Sequence, residues 1–352
     1  MTIGDERDLT PLWQYGHNRR TDMPEATDSP ENVLSQMLWG YRASQALFVA
    51  VRLGIPDLLK DEARTSEDLA ARAGVDAHAL YRLLVVLASV GVLREVGPGR
   101  FEITPMGALL QTGSTLRDSA ILAESFWPAY AELPYTIRTG RSGFQRASGM
   151  PIYDYLAKTP EADAAYAARM AVATSTMAGA LTRSYDFSGM STVVDVGGGR
   201  GALLLEILRA HPHLRGVLFD RSATVAGVQH DLEAQQVGER LEVVAGDFFE
   251  ALPAGGDVYI LKWVISEWSD ERAIVILRNC RRAMTARGRV LVMDPLEVQA
   301  HALFNLQILV VWNGGRVRSQ AEIASLFAAA GLGMERIIPT RSQFSIVEGG
   351  PA

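Results

Sequence analysis

Three carboxylates and a run of glycines recur along the second half of the chain, each where an apolar stretch ends. Val193-Val194-Asp195-Val196 runs into Gly197-Gly198-Gly199-Arg200-Gly201-Ala202. A turn without Cβ atoms lets a ligand lie against backbone at the start of a helix. The run satisfies G-x-G-x-x-A, which alone would fit a nicotinamide dinucleotide. Asp195 argues otherwise, because a carboxylate beside Gly197 and Gly199 repels a pyrophosphate and attracts an ammonium. Asp220, followed by Arg221, ends the next apolar run, where a carboxylate can take both hydroxyls of a ribose. Gly246-Asp247-Phe248-Phe249 ends the third and offers an acceptor for an exocyclic amine and an aromatic face for a purine. A sugar, a purine and an amino-acid tail without phosphate describe S-adenosylmethionine.

The elements that must position these residues alternate. Strands are expected at Thr192–Val196, Val217–Asp220, Leu241–Ala245, Val258–Trp263 and Arg289–Met293, and a final pair near Met334–Pro339 and Phe344–Glu348. Helices are expected at Ala202–Ala210, Ala223–Gln236, Glu271–Ala286 and Gln320–Ala330. This alternation predicts a doubly wound, mainly parallel α/β sheet, which binds ligands at the C-terminal ends of its strands. Residues 116–190 read as helical and rich in aromatics and methionines, among them Phe126, Tyr153, Tyr166 and Met170. Such residues are usually core, but some must roof a pocket above the glycine loop.

Upstream, residues 1–30 read as a mobile arm. A mostly apolar helical stretch follows from Asn32 to Leu59, the kind that is buried, here between subunits. Residues 31–115 then suggest a winged helix. Ser66 caps one helix, a second runs from Val75-Asp76 to Gly91, and a hairpin turns on Gly97-Pro98-Gly99. The would-be recognition helix carries Arg82 as its one basic residue, whereas phosphate contacts need several. With a net charge of −6, a nucleic-acid or anionic-membrane partner is not expected, nor is a regulator that senses S-adenosylmethionine. Residues 116–352 are expected to form the catalytic domain. Cys280 is the sole cysteine, no apolar run reaches 18 residues, and the N-terminus lacks a signal-peptide core. A reducing, cytoplasmic location is expected. No His/Cys/Asp cluster has metal-ligand spacing, so no metal is predicted.

Leu261-Lys262-Trp263, Gly246-Asp247-Phe248-Phe249 and Gly314-Gly315-Arg316, joined to the glycine run, resemble the class I S-adenosylmethionine-dependent small-molecule O-methyltransferases. That family includes plant caffeate-type and actinobacterial polyketide-tailoring enzymes. The resemblance covers roughly residues 32–349. It implies a Rossmann-like methyltransferase sheet behind a winged-helix dimerisation domain, a homodimer, and a flat aromatic or polyketide-like substrate. It also implies cofactor contacts from Gly197, Asp220, Asp247, Phe248 and Lys262. Met170, Trp263, Ile308 and Trp312 fall where the family lines its substrate pocket, and Tyr166 lies on the same stretch as Met170.

The chain departs from that family at the residue that carries the chemistry. Plant-type members have a His-Asp pair after Lys-Trp, and the histidine deprotonates the substrate. Here the matching residues are Ser266 and Glu267, and a serine hydroxyl is far too weak a base to replace imidazole. One acid that orients the histidine survives as Asp294. The other is replaced by Val317 in Gly314-Gly315-Arg316-Val317-Arg318, a run resembling the anthracycline methyltransferases. Three mechanisms stay open: methyl transfer by positioning alone, with Glu267 as the base, or a reaction that uses S-adenosylmethionine without transferring methyl, such as hydroxylation, decarboxylation or a pericyclic step. His301 is a further, weaker candidate for a relocated base.

Overall fold

In the computed structural model the described residues are 29–226, 228, 237–340 and 344–352. The expected N-terminal arm therefore falls almost wholly outside them, as does most of the expected helix Ala223–Gln236, of which Ser222–Val225 is described. The chain divides into two compact units between Glu124 and Ser125.

In the first unit the expected helix of residues 32–59 is three pieces: Pro30–Trp39, Tyr41–Arg52 and Ile55–Leu58. Gly54, at φ +67°, turns the chain into a left-handed conformation that glycine adopts without strain. Helix Ser66–Ala73 is capped one residue earlier than expected, because the Thr65 hydroxyl, not Ser66, accepts the Asp68 N–H. Asp76 caps helix Ala77–Ser89 through the Ala79 N–H. Strand β1 (Arg64–Thr65) pairs antiparallel with β3 (Arg100–Ile103), which pairs in turn with β2 (Leu93–Gly97). Gly97 belongs to β2, so the turn is Pro98-Gly99 rather than three residues. Leu69, Leu80, Leu84, Leu87 and Phe101 close the core. β1 is too short to show any period in the sequence.

The second unit begins with helices that end in Ile152–Lys158 and the long Pro160–Ser184. A seven-stranded sheet follows: β4 (Thr192–Val196), β5 (Arg215–Asp220), β6 (Leu241–Ala245), β7 (Val258–Lys262), β8 (Arg289–Asp294), β9 (Leu332–Pro339) and β10 (Ser345–Pro351), in the order β6-β5-β4-β7-β8-β10-β9. β6 to β8 pair in parallel, and β10 runs antiparallel between β8 and β9. The central strands are buried along nearly their whole length, as parallel strands covered on both faces must be. The chain winds from β4 outward to β6, then returns across β4 to start β7. That reversal leaves a crevice above the C-terminal ends of β4 and β7, the place where such sheets bind ligands. Helices Asp270–Ala283 and Gln320–Ala329 cover one face of the sheet and share its core.

Candidate active site

The glycine loop is shaped by the strands beneath it. Gly197 and Gly198 donate their N–H groups to the Phe219 carbonyl of β5 at 2.8 and 3.3 Å. Gly197, Gly199 and Gly201 all have φ between +61° and +79°. A Cβ at Gly198 would lie 2.5 Å from Leu218 Cδ1 and 2.7 Å from the Asp195 carboxyl carbon. The Asp220 carboxylate then clamps the loop, accepting from the Gly199 N–H at 2.8 Å and the Arg221 N–H at 2.7 Å.

Asp195 ends up 1% exposed. Neither of its carboxylate oxygens has a hydrogen-bond partner among the described residues. Burial pushes its carboxyl up to about 7 against the pull of Lys262. An orphaned buried carboxyl is costly unless a ligand completes it. Lys262, whose charge acts on Asp195, has its Nζ 4.6 Å from the Trp263 ring centroid. Burial lowers its ammonium pKa, while Asp195, Glu267 and Asp294 act the opposite way. Asp247 accepts the Phe249 N–H at 2.8 Å. Phe248, Phe249 and Trp268 form an edge-to-face cluster with centroids 4.8–5.9 Å apart. Gly246 is pinned there, since a Cβ would meet the Phe219 ring at 2.6 Å. A cationic amino-acid tail at Asp195, ribose hydroxyls at Asp220 and a purine at Asp247 and Phe248 suit these donors and acceptors. S-adenosylmethionine fits this set.

A tight turn lies beyond β7. Trp263 has φ +56°, alone among the described non-glycine residues in being positive, the kind of strain that surrounding structure must hold in place. The chain then makes one 3-10 turn over Ile265–Glu267. Ser266 and Asp294 are both buried. The Ser266 hydroxyl donates to Asp294 Oδ1 at 2.8 Å and its N–H donates to Oδ2 at 3.2 Å. Burial raises the Asp294 carboxyl to about 7, which the Ser266 hydrogen bond opposes. Glu267 points elsewhere: Tyr153, on helix Ile152–Lys158, donates its hydroxyl to Glu267 Oε2 at 2.5 Å. Burial pushes the Glu267 carboxyl up to about 8, which the Tyr153 hydrogen bond opposes. Tyr166 meets the Tyr153 ring edge-on at 6.3 Å.

The turn is held from behind by Arg318. It is buried, and it donates to the carbonyls of Ile265 and Trp268 at 2.7 and 2.6 Å and to Asp270 at 2.9 Å. Val317 is buried, and its N–H donates to Asn305 at 2.8 Å. A Cβ at Gly315 would lie 2.6 Å from the Ser266 carbonyl oxygen. Of the expected pocket residues, Met170 and Tyr166 share helix Pro160–Ser184. Ile308 is buried on helix Ala302–Val311, and Trp312 caps that helix with its indole N–H unpartnered. His301 sits at the exposed start of the same helix, its Nδ1 3.0 Å from the Glu297 carbonyl oxygen. Arg318 was not among the expected site residues, and Tyr153 was named only as one of the aromatics from which a pocket roof would be drawn. No local pattern marks Tyr153. The one signal for Arg318 is its place between apolar Val317 and the helix-capping Ser319.

Two family models match: an O-methyltransferase domain over residues 130–333 and an O-methyltransferase dimerisation domain over residues 35–113. The chain belongs to the O-methyltransferase family. It is 42% identical to the phenazine O-methyltransferase of Lysobacter antibioticus, over 91% of this chain and 96% of that protein. It is 38% identical to the O-demethylpuromycin O-methyltransferase of Streptomyces alboniger, over 96% and 94%. The O-methyltransferase of neocarzinostatin biosynthesis, solved with S-adenosylmethionine and 2-hydroxy-5-methylnaphthoic acid, superposes with a TM-score of 0.82 at 31% identity, over 88% and 96% of the two chains. The aclacinomycin 10-hydroxylase of Streptomyces purpurascens is also similar, at 33% identity over 88% and 86%.

Proposed function

We propose that this chain transfers the methyl group of S-adenosylmethionine to a hydroxyl of a small, flat aromatic or polyketide-like natural product, without a histidine base. The observation that carries this is the orphaned Asp195 carboxylate under the glycine loop. It sits beside acceptors suited to a ribose and a purine and next to a carboxylate-bearing turn. The names of the relatives support the aromatic class of the acceptor. When bound, the cofactor supplies an electrophilic methyl on a sulfonium.

The chain's own residues bind and orient. Asp195, Gly197, Gly199, Asp220, Arg221, Gly246, Asp247, Phe248 and Lys262 are assigned to the cofactor. Tyr166, Met170, Trp263, Ile308 and Trp312 are assigned to the acceptor. Ser266 holds Asp294 and so fixes the turn that presents Glu267. Binding near-attack geometry in a water-poor site supplies much of the acceleration of such a transfer. Residues 31–115 are assigned to the interface of a homodimer.

Calorimetry should detect S-adenosylmethionine and S-adenosylhomocysteine and no nicotinamide dinucleotide. Mass spectrometry of hydroxylated naphthoates and phenazines incubated with the enzyme should detect a gain of one methyl. Binding of the dinucleotide instead would overturn the assignment. A second reading, use of the cofactor without methyl transfer, is favoured by the missing imidazole at Ser266 and by the hydroxylase relative. Its signature is product without stoichiometric S-adenosylhomocysteine.

A further inference from the structure

We propose that Tyr153 and Glu267 form the proton-accepting pair of this enzyme, Glu267 taking the acceptor's hydroxyl proton while Tyr153 orients its carboxylate. This rests on the methyl-transfer reading above. The two residues come from distant parts of the chain. Glu267 ends the strained turn after β7, and Tyr153 lies on helix Ile152–Lys158, 114 positions earlier. The hydrogen bond occupies Oε2 and fixes the plane of the carboxylate. Ser266, at the position of the family's base, is spent on Asp294.

The groups that face Glu267 explain why it can serve. Tyr153 donates to it, and Tyr166 stands behind Tyr153. Asp294 and Asp220 act on it as like charges, and Lys262 as the one opposite charge. The Arg221 guanidinium lies over the Tyr153 ring at 4.9 Å. Burial is the largest influence, and with the two aspartates it outweighs Lys262 and the Tyr153 bond, so Glu267 is pushed up to about 8. A base works best when its pKa is near the working pH. Tyr153 is held well above its ordinary range by burial and by Glu267, so it stays a donor throughout.

The step balances simply. The acceptor O–H breaks and its proton goes to Glu267. The oxygen lone pair forms the bond to the methyl carbon as the carbon–sulfur bond breaks, its electron pair remaining on sulfur. The Glu267 proton then leaves to solvent.

The test compares wild type, Glu267→Gln, Glu267→Asp and Tyr153→Phe, with catechol, 4-nitrocatechol and 1,4-dihydroxy-2-naphthoic acid as acceptor probes. The nitro group acidifies its phenol, so a base matters less to it. Glu267→Gln should lower kcat on catechol by roughly 10²–10⁴-fold and on 4-nitrocatechol far less, with Glu267→Asp restoring part of the loss. The wild-type kcat should rise with pH through a midpoint near 8. Tyr153→Phe removes a bond that stabilises the charged carboxylate, so that midpoint should move up by about one to two pH units. In the cofactor-free protein, the part of the protonated-carboxyl infrared band that is missing from Glu267→Gln should bleach with the same midpoints, the remainder belonging to Asp195 and Asp294. A loss in Glu267→Gln that is equal for both catechols, or under about fivefold, overturns the pair. So does an unmoved midpoint in Tyr153→Phe. If wild type binds the cofactor but methylates no probe, the methyl-transfer reading is in question, and the infrared midpoints still decide whether the pair exists.

Discussion

The contacts of Ser266 are structural ones. Its hydroxyl and N–H both engage Asp294, and both side chains are buried. Ser266→Ala removes one hydrogen bond to a buried carboxyl, expected to lower stability by about 1–3 kcal/mol in urea unfolding. Because the hydroxyl transfers no proton, kcat should fall by less than about tenfold, and a larger loss would return Ser266 to the chemistry. Asp220 clamps Gly199 and Arg221 and is the carboxylate proposed for the ribose hydroxyls. Asp220→Ala should therefore weaken S-adenosylmethionine by at least about tenfold, equivalent to roughly 1.4 kcal/mol, measured by calorimetry. A change under threefold would remove Asp220 from the cofactor site. At this scale the sequence was most legible where chemistry is local. Asp195, the glycines and Asp220 sit at strand ends whose apolar runs are visible. Tyr153 was illegible, because nothing near residue 153 says that its hydroxyl meets a carboxylate 114 positions away.

Among elements, the turn Ile265–Glu267 depends on contacts from outside its own stretch. Arg318 satisfies the carbonyls of Ile265 and Trp268, and Gly315 passes too close to the turn for any side chain. Arg318→Leu leaves the carbonyls of Ile265 and Trp268 short of a donor, while Asp270 keeps Arg316. Each unsatisfied buried group costs about 1–3 kcal/mol, so a loss of several kcal/mol is expected in denaturant unfolding, with kcat falling more than cofactor affinity. Unchanged kcat with lowered stability would show that the turn does not need this support. The strands from β4 to β8 were legible within two residues at each end, because Val/Ile/Leu-rich runs bounded by Gly and Asp turns admit few other readings. The tight geometry of Ile265–Glu267 was not, because it is imposed by Arg318, Gly315 and Asp294 rather than by its own propensities. A charged residue also reads as solvated until its distant carbonyl partners are known.

At the scale of the whole molecule, the first unit carries an apolar face that is left exposed among the described residues. Helix Pro30–Trp39 has no buried residue, and Leu34, Met37, Leu38 and Trp39 are 58%, 70%, 64% and 50% exposed. A soluble chain rarely keeps so contiguous an apolar patch facing water. Each such side chain gains about 1.5–3 kcal/mol on full burial, so covering this helix with its copy in a second chain is strongly favoured. The match of residues 35–113 to a dimerisation domain points the same way. Met37→Glu with Leu38→Glu places two carboxylates in that contact, where they would be desolvated without partners. The double variant should run as a monomer in light scattering at micromolar concentration, where the parent runs as a dimer. The residues assigned here to cofactor binding lie between Asp195 and Lys262, in the second unit. The monomeric variant should therefore still bind S-adenosylmethionine within about threefold of the parent. A variant that stays dimeric would move the interface elsewhere on the chain, and one that loses the cofactor along with its partner would mean that the second copy is needed to hold the site in shape.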